Sequence, residues 1–240
     1  MRQKLSSRKI AAFTNVFLAL IVCVIGAVCF LPAASPASNV DGNLYYRGNS
    51  ENGVSLMINV YWGTEEVEGM LRVLEEYGAK ATFFLGGSWA DDNVDCVKKI
   101  AEGGHEIGSH GYFHRDHSTL TYRENVEEIG NSIEFISLIT HTPVTLFAPP
   151  SGAYNDDTLN ASQALGLKTV MWSKDTVDWR DKDESLCFRR ATNGVSGGDL
   201  ILMHPMEHTL AALPGILQYY RDKGLAAITV SENIQDKGEE

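Results

Sequence analysis

From Gly53 onward, short apolar runs alternate with stretches in which apolar residues recur every three or four positions. The first pattern is typical of buried strands and the second of amphipathic helices. Strands are predicted at 54–61, 79–85, 104–109, 143–148, 167–172, 199–203 and 225–230, and helices at 65–77, 91–102, 122–139, 156–165, 184–193 and 208–223. Seven strands separated by helices predict an α/β fold with right-handed βαβ units around a parallel sheet or barrel.

The N-terminal part has a different character. Residues 1–9 are basic, and residues 10–32 are almost entirely apolar. This length favours a retained transmembrane anchor, while small residues near Ser35 leave a cleaved signal peptide as the alternative. With either segment, the positive flank stays in the cytoplasm and the C-terminal part of the chain is exported. We therefore expect a cytoplasmic basic segment (1–9), an anchor or signal (10–32), a linker (33–52), an extracellular domain (53–233) and a polar tail (234–240).

Composition limits the partners of this domain. The formal net charge of the chain is −11, so its body repels phosphate backbones and nucleic acid is not an expected partner. Cys96 and Cys187 are the only cysteines of the predicted domain, which allows one disulfide or none. No C-x-x-C motif supports a zinc finger. We expect a monomer.

The segment 104–117 holds four of the seven histidines. His110 and His114 are four residues apart, so on one helical turn both imidazoles would face the same way, as two ligands of one metal ion do. They come after the predicted strand 104–109, at the end where α/β folds place their sites. On this motif alone, a pair of solvated loop histidines remains an equal alternative.

Polar and aromatic residues also come after other predicted strands. Asn59 and Tyr61 end the first strand, a Pro-Pro-Ser-Gly turn at 149–152 comes after the fourth, and His204 ends the sixth. Between the last two lies the segment 171–179, which contains two tryptophans and two aspartates. Residues at the carboxyl ends of different strands of one parallel barrel meet at the same end, so these segments predict a pocket there.

With these motifs in this order, residues 53–233 resemble the polysaccharide deacetylases, whose NodB-homology fold is a distorted (β/α)7 barrel. The resemblance implies hydrolysis of acetyl groups, through the C–N bonds of N-acetylated aminosugars, on cell-wall glycan or chito-oligosaccharides. It implies a divalent metal, Zn with Co or Ni as alternatives, bound by His110 and His114. His204 matches the general acid, held by Asp178 or Asp175. The implied substrate-binding residues are Pro149, Pro150, Ser151, Gly152, Tyr154, Trp179 and Leu202.

The chain departs from the family pattern at the first motif. Two aspartates of that motif act as the base and as a metal ligand. Asn59 replaces the first, and the second is replaced by Tyr61 in the spaced variant of the motif or by Val60 in the unspaced one. The arginine that contacts the base is replaced by Ala148. Asn59 can orient a water but cannot act as a carboxylate base. The open candidates for the third metal ligand are Tyr61, Asp116, His117 or waters alone.

The residues support two hypotheses for function. The first is a membrane-tethered, metal-dependent deacetylase that acts outside the cell on an acetylated polysaccharide. The retained residues His110, His114, Asp178 and His204 favour it. The second is a catalytically degenerate barrel that binds glycan or serves as a scaffold, which Asn59, Tyr61 and Ala148 favour. Trp172, Trp179 and Tyr154 either stack on sugar rings or pack within the protein.

Overall fold

A computed structural model of the protein describes residues 43–235. The predicted basic segment, the apolar segment and the linker up to residue 42 lie outside the described residues, as do residues 236–240 of the predicted tail. Within the described part, no helix is both long and apolar enough to cross a membrane.

All strands of the described domain are parallel and belong to one curled sheet. Its order is β1-β6-β5-β4-β3-β2-β8-β7, with β9 also paired to β2. The strands are β1 (Leu44–Tyr45), β2 (Gly53–Val60), β3 (Thr82–Leu85), β4 (Glu106–Ser109), β5 (Leu146–Phe147), β6 (Lys168–Val170), β7 (Lys174–Asp175), β8 (Leu200–Met203) and β9 (Ala226–Ala227). Because β1 and β7 each pair on one side only, the sheet is an open half-barrel.

Helices connect these strands as the alternating pattern predicts. They are α1 (Thr64–Tyr77), α2 (Gly87–Asp92), α3 (Val94–Glu102), α4 (Tyr122–Thr140), α5 (Asp156–Ala164), α6 (Asp178–Asp181), α7 (Glu184–Thr192), α8 (Glu207–Asp222) and α9 (Val230–Ile234). The predicted helix 91–102 is divided at Asn93, whose side chain bonds to the Thr64 hydroxyl and the Trp89 carbonyl. The predicted strand 225–230 is shorter than expected because Thr229 and Glu232 form a capping box that begins α9.

The structure corrects the predicted linker and tail. β1 lies inside the predicted linker but pairs with β6, and Gly48 N donates to Gly198 O. The Arg47 guanidinium also bonds to the buried Asp199 carboxylate at 2.6 Å. Residues 43–52 are therefore part of the domain. At the other end Ile234, assigned to the tail, is buried in α9. A two-residue strand and a single buried apolar residue carry too little periodicity to be detected in sequence.

The central strand β2 places the candidate site. All eight of its residues are buried. Leu56, Ile58 and Val60 pack with the cluster beneath the helices, whereas Met57 packs inside the half-barrel with Phe84. Side chains alternate along a strand, so Asn59 shares the inner face of Met57, next to the carboxyl end of β2. We call this end, where Asn59, His110, Ala148 and His204 lie at the ends of their strands, the mouth of the half-barrel.

Candidate active site

His110 and His114 meet at the mouth, but not through a helical turn as predicted. Residues 110–114 form a loop after β4, held because Gly87 N donates to Gly111 O and Ser88 N to Tyr112 O. Gly111 and His114 both have positive φ, at 72° and 54°. This turn brings the two ring centroids to 5.0 Å. The prediction that the two imidazoles lie close together is confirmed, and the prediction of a helical turn between them is wrong.

The protonation of both imidazoles is set by their surroundings. Burial, together with the neighbouring His114, lowers the pKa of His110 to about 3. Burial also lowers the pKa of His114. Both rings are therefore neutral at neutral pH. His110 Nδ1 donates to the Ala148 carbonyl at 2.7 Å, which leaves Nε2 as a free lone pair facing away from that bond.

The residues present supply two metal ligands and not a third. A catalytic zinc site has three protein ligands, yet no three His, Cys, Asp or Glu side chains within residues 43–235 are arranged to hold a metal ion. Asp116 instead accepts hydrogen bonds from Ser118 at the start of a short 3-10 helix. His117 Nδ1 is bonded to Asn125, and its Nε2 is buried without a partner in the described part of the chain. This donor set does not fit the metal that the resemblance implied.

Tyr61 lies against the imidazole pair. Its ring centroid is 4.9 Å from that of His114, and the ring also packs on Gly86, where a Cβ would overlap it. Its hydroxyl accepts a hydrogen bond from Ser88 Oγ at 3.0 Å. An aromatic ring in contact with His114 thus occupies the part of the site where a carboxylate ligand was expected.

Asn59 and Ala148 occupy the remaining first-motif positions. Asn59 is 4% exposed, and within residues 43–235 no donor contacts its Oδ1. Ala148 is fully buried and presents only a methyl group. An amide cannot remove a proton from water as a carboxylate does, and no positive side chain at position 148 supports one. The position where the resemblance placed the general base therefore holds no carboxylate.

His204, the predicted general acid, is held by a buried carboxylate. His204 Nδ1 lies 2.8 Å from Asp178 Oδ1, and the His204 backbone N–H donates to Asp178 Oδ2 at 2.7 Å. Thr209 Oγ1 also donates to Oδ2 at 2.8 Å. Burial alone would raise the pKa of Asp178, but these hydrogen bonds hold it below its usual range. Tyr61 contacts the His114 ring, and the next residue, Trp62, stacks on the His204 ring, so the Asp178–His204 pair lies at the same end of the half-barrel as the other two imidazoles.

Asp178 rather than Asp175 holds His204. The Asp175 carboxylate accepts from Val177 N at 2.7 Å, and burial raises its pKa. Val177, directly before Asp178, has φ 51°, which is unfavourable for a β-branched residue and costs roughly 1–3 kcal/mol. No sequence motif predicted this strained turn. The two aspartates on either side of it have different hydrogen-bond partners.

The expected substrate-binding residues divide into exposed and buried groups. Trp179 is 49% exposed, and Ser151 is also exposed. Tyr154 is half-buried and its hydroxyl lies 2.7 Å from that of Tyr46. Gly152 has φ 67° and packs against Trp172. Pro149, Pro150 and Leu202 are buried, so they lie beneath the surface of the mouth.

Trp62 was not predicted as a site residue. Its ring stacks on His204 at 5.9 Å with an interplanar angle of 5°, while 39% of it stays exposed. An aromatic residue directly after the first-motif positions was the available signal, but aromatic residues after strands are as often packing as binding residues.

The sequence of this chain is similar to those of known proteins. Residues 47–170 match the family model described as "Polysaccharide deacetylase". The chain belongs to the polysaccharide deacetylase family. It is 39% identical over 192 residues to YlxY, an uncharacterised protein of Bacillus subtilis, covering 80% of this chain and 60% of that protein. It is 31% identical over 174 residues to a peptidoglycan-N-acetylglucosamine deacetylase of Bacillus cereus, covering 70% of this chain and 81% of the relative.

A solved relative combines a similar fold with a loss of activity. A CE4 family pseudoenzyme from Bacillus anthracis superimposes with a TM-score of 0.77 at 31% identity, covering 80% of this chain and 69% of that one. A mutant of that pseudoenzyme is described as having restored enzymatic activity. This polysaccharide deacetylase chain spans less than two thirds of the length of YlxY, so the activity of the whole protein is a matter for proposal.

Proposed function

We propose that this chain is a catalytically disabled polysaccharide deacetylase that binds acetylated cell-wall glycan of the peptidoglycan type at its mouth. The observation that carries the proposal is the asymmetry of the site. His204 and Asp178 keep their 2.8 Å contact, whereas within residues 43–235 Asn59 has no donor and no third metal ligand joins His110 and His114. Such a site can still contact a sugar, but it lacks the carboxylate that would remove a proton from water.

Exposed aromatic surface supports glycan binding. Trp62 offers one face of its indole beside His204, and Trp179 comes directly after Asp178 at the start of α6. Phe113, in the loop between His110 and His114, is 61% exposed. Exposed aromatic faces beside polar side chains suit the apolar faces of sugar rings.

The similarity to peptidoglycan deacetylases supports the choice of polymer. The Bacillus anthracis pseudoenzyme supports the loss of hydrolysis within the same fold. We further propose that the domain acts outside the cell as a monomer, attached to the membrane through residues 10–32. That part of the proposal is supported by the basic and apolar N-terminal sequence alone.

Sedimentation of the full-length chain with insoluble peptidoglycan tests the proposal. Wild type is expected to co-sediment and to release no acetate. Trp62→Ala should weaken binding on the order of 10-fold, because it removes the face beside His204. Leu138→Ala, at the far end of α4, is the matched control, since Leu138 is an even more exposed apolar side chain at 69%. Absence of wild-type binding, or equal weakening by both variants, would refute the proposal.

One observation favours a second candidate function, slow hydrolysis. The Asp178–His204 pair is fully assembled, and losing a general base costs about 10²–10⁴-fold, which leaves measurable rates in some enzymes. Acetate release by wild type that disappears in His204→Ala would select this function over binding alone.

A further inference from the structure

The site contains an unsatisfied acceptor that the proposed function does not yet explain. Asn59 Oδ1 is buried at the carboxyl end of β2, and within residues 43–235 nothing donates to it. Buried acceptors are almost always bonded, and one left without a donor at the mouth of the half-barrel points to a ligand that supplies it. The missing group is an N–H or an O–H.

Tyr61 offers the complementary group two residues further on. Its oxygen accepts from Ser88 Oγ at 3.0 Å, which leaves its own proton for another acceptor. The ring is held between His114 and Gly86, so the direction of the hydroxyl is fixed by packing. Residues two apart at a strand end lie about 7 Å from one another, so one small group can contact both side chains.

The two side chains call for opposite hydrogen-bonding groups on one ligand. Asn59 Oδ1 needs a donor, and the Tyr61 hydroxyl needs an acceptor. A group with one N–H and one carbonyl supplies both, whereas a carboxylate has no donor for Asn59 and an ammonium has no acceptor for Tyr61.

We propose that Asn59 and Tyr61 bind the acetamido group of an N-acetylated aminosugar directly and without a metal ion. Asn59 Oδ1 accepts the amide N–H, and the Tyr61 hydroxyl donates to the acetyl carbonyl. The two substitutions that remove the base and the third metal ligand then convert a metal site into an amide-recognition site. This assignment rests on the proposed glycan-binding function.

The assignment makes the site selective for amides. An O-acetyl ester has no N–H for Asn59, and a free amino group has no carbonyl for Tyr61. Each mismatch leaves one buried polar group unpaired, which weakens binding on the order of 10-fold or more.

Isothermal titration of the full-length chain in the presence of EDTA tests the assignment. The ligands are the N-acetylglucosamine tetramer, the glucosamine tetramer and O-acetylated xylo-oligosaccharide. We expect wild type to bind the first at least about 10-fold more tightly than either of the others, and a parallel titration with Zn²⁺ in place of EDTA to give an affinity within about 2-fold.

Two variants isolate the contacts. Tyr61→Phe removes only the hydroxyl, and Asn59→Leu removes the acceptor; each should weaken binding of the N-acetylated tetramer on the order of 10-fold. Tyr77→Phe, at the end of α1 beside Arg221, is the matched control and should bind as wild type does. Thermal unfolding of each variant confirms that it is folded.

The outcomes separate the two proposals. If wild type binds none of the oligosaccharides and no peptidoglycan, the proposed function fails and this assignment fails with it. If wild type binds glycan but requires Zn²⁺, does not distinguish the three ligands, or is unaffected by both variants, the assignment alone is overturned.

Discussion

Replacing Asn59 by leucine should stabilise the protein while it weakens binding of the N-acetylated ligand. Leucine has the same branching at Cγ and no polar atoms. Asn59 is 4% exposed and its Oδ1 has no donor within residues 43–235. An unsatisfied buried polar group costs about 1–3 kcal/mol, and this cost disappears in the variant. For a domain of about 200 residues, this gain raises the melting temperature by roughly 2–12 °C.

Asn125→Leu is the matched control, because Asn125 is also buried but fully bonded. Its Oδ1 accepts from His117 Nδ1 at 2.6 Å, and its Nδ2 donates to the Leu120 and Thr121 carbonyls. The same steric change there removes three hydrogen bonds and leaves the buried His117 Nδ1 without its partner, so it should destabilise the protein by roughly 1–3 kcal/mol.

Urea unfolding monitored by circular dichroism measures both free energies of unfolding. The two variants should shift the midpoint in opposite directions with little change in slope. If Asn59→Leu destabilises the protein as much as Asn125→Leu does, the Asn59 amide is satisfied in the free protein. The reasoning that it awaits a ligand would then be wrong.

Three further changes should affect stability. Burial lowers the pKa of His105 to about 4. The stability linked to its neutral ring is therefore complete above pH 6.5 and is lost as the pH falls towards 4. His105→Asn should reduce that loss by up to roughly 3 kcal/mol, measured by urea unfolding at each pH. Asp178→Ala leaves the His204 backbone and the Thr209 hydroxyl unpaired and should cost roughly 3 kcal/mol, measured by urea unfolding. A chain that begins at residue 53 lacks β1 and the Arg47–Asp199 pair, so it should melt well below one that begins at residue 43 in calorimetry.

The fold was largely predictable because its longer elements bury a regular apolar face. The pattern located β2 and α1 within a residue or two, as it did α4 and α8. It missed β1 and β7, which have two residues each and are defined by their neighbours in the sheet rather than by their own composition. The apolar segment 10–32 stays a sequence prediction.

The site was predictable in its members and not in its contacts. Motif spacing identified His110, His114 and His204; the structure places the first two rings in contact and all three residues after the carboxyl ends of strands. The positive φ of His114 and Val177 could not be foreseen, since that conformation is uncommon for any residue other than glycine and is an outlier for a β-branched one. The fixed position of Tyr61 and the unsatisfied Asn59 oxygen depend on packing between separate strands, which spacing along one chain does not encode.

The most direct test of the account measures acetate release from N-acetylated peptidoglycan with Zn²⁺ present. It compares full-length wild type with the triple variant Asn59→Asp, Tyr61→Asp, Ala148→Arg. The account predicts no release above background by wild type and clear release by the triple variant, because only the variant has the missing carboxylates and their positive partner beside the intact Asp178–His204 pair. Release by wild type that is lost in His110→Ala would contradict the claim that the site is disabled.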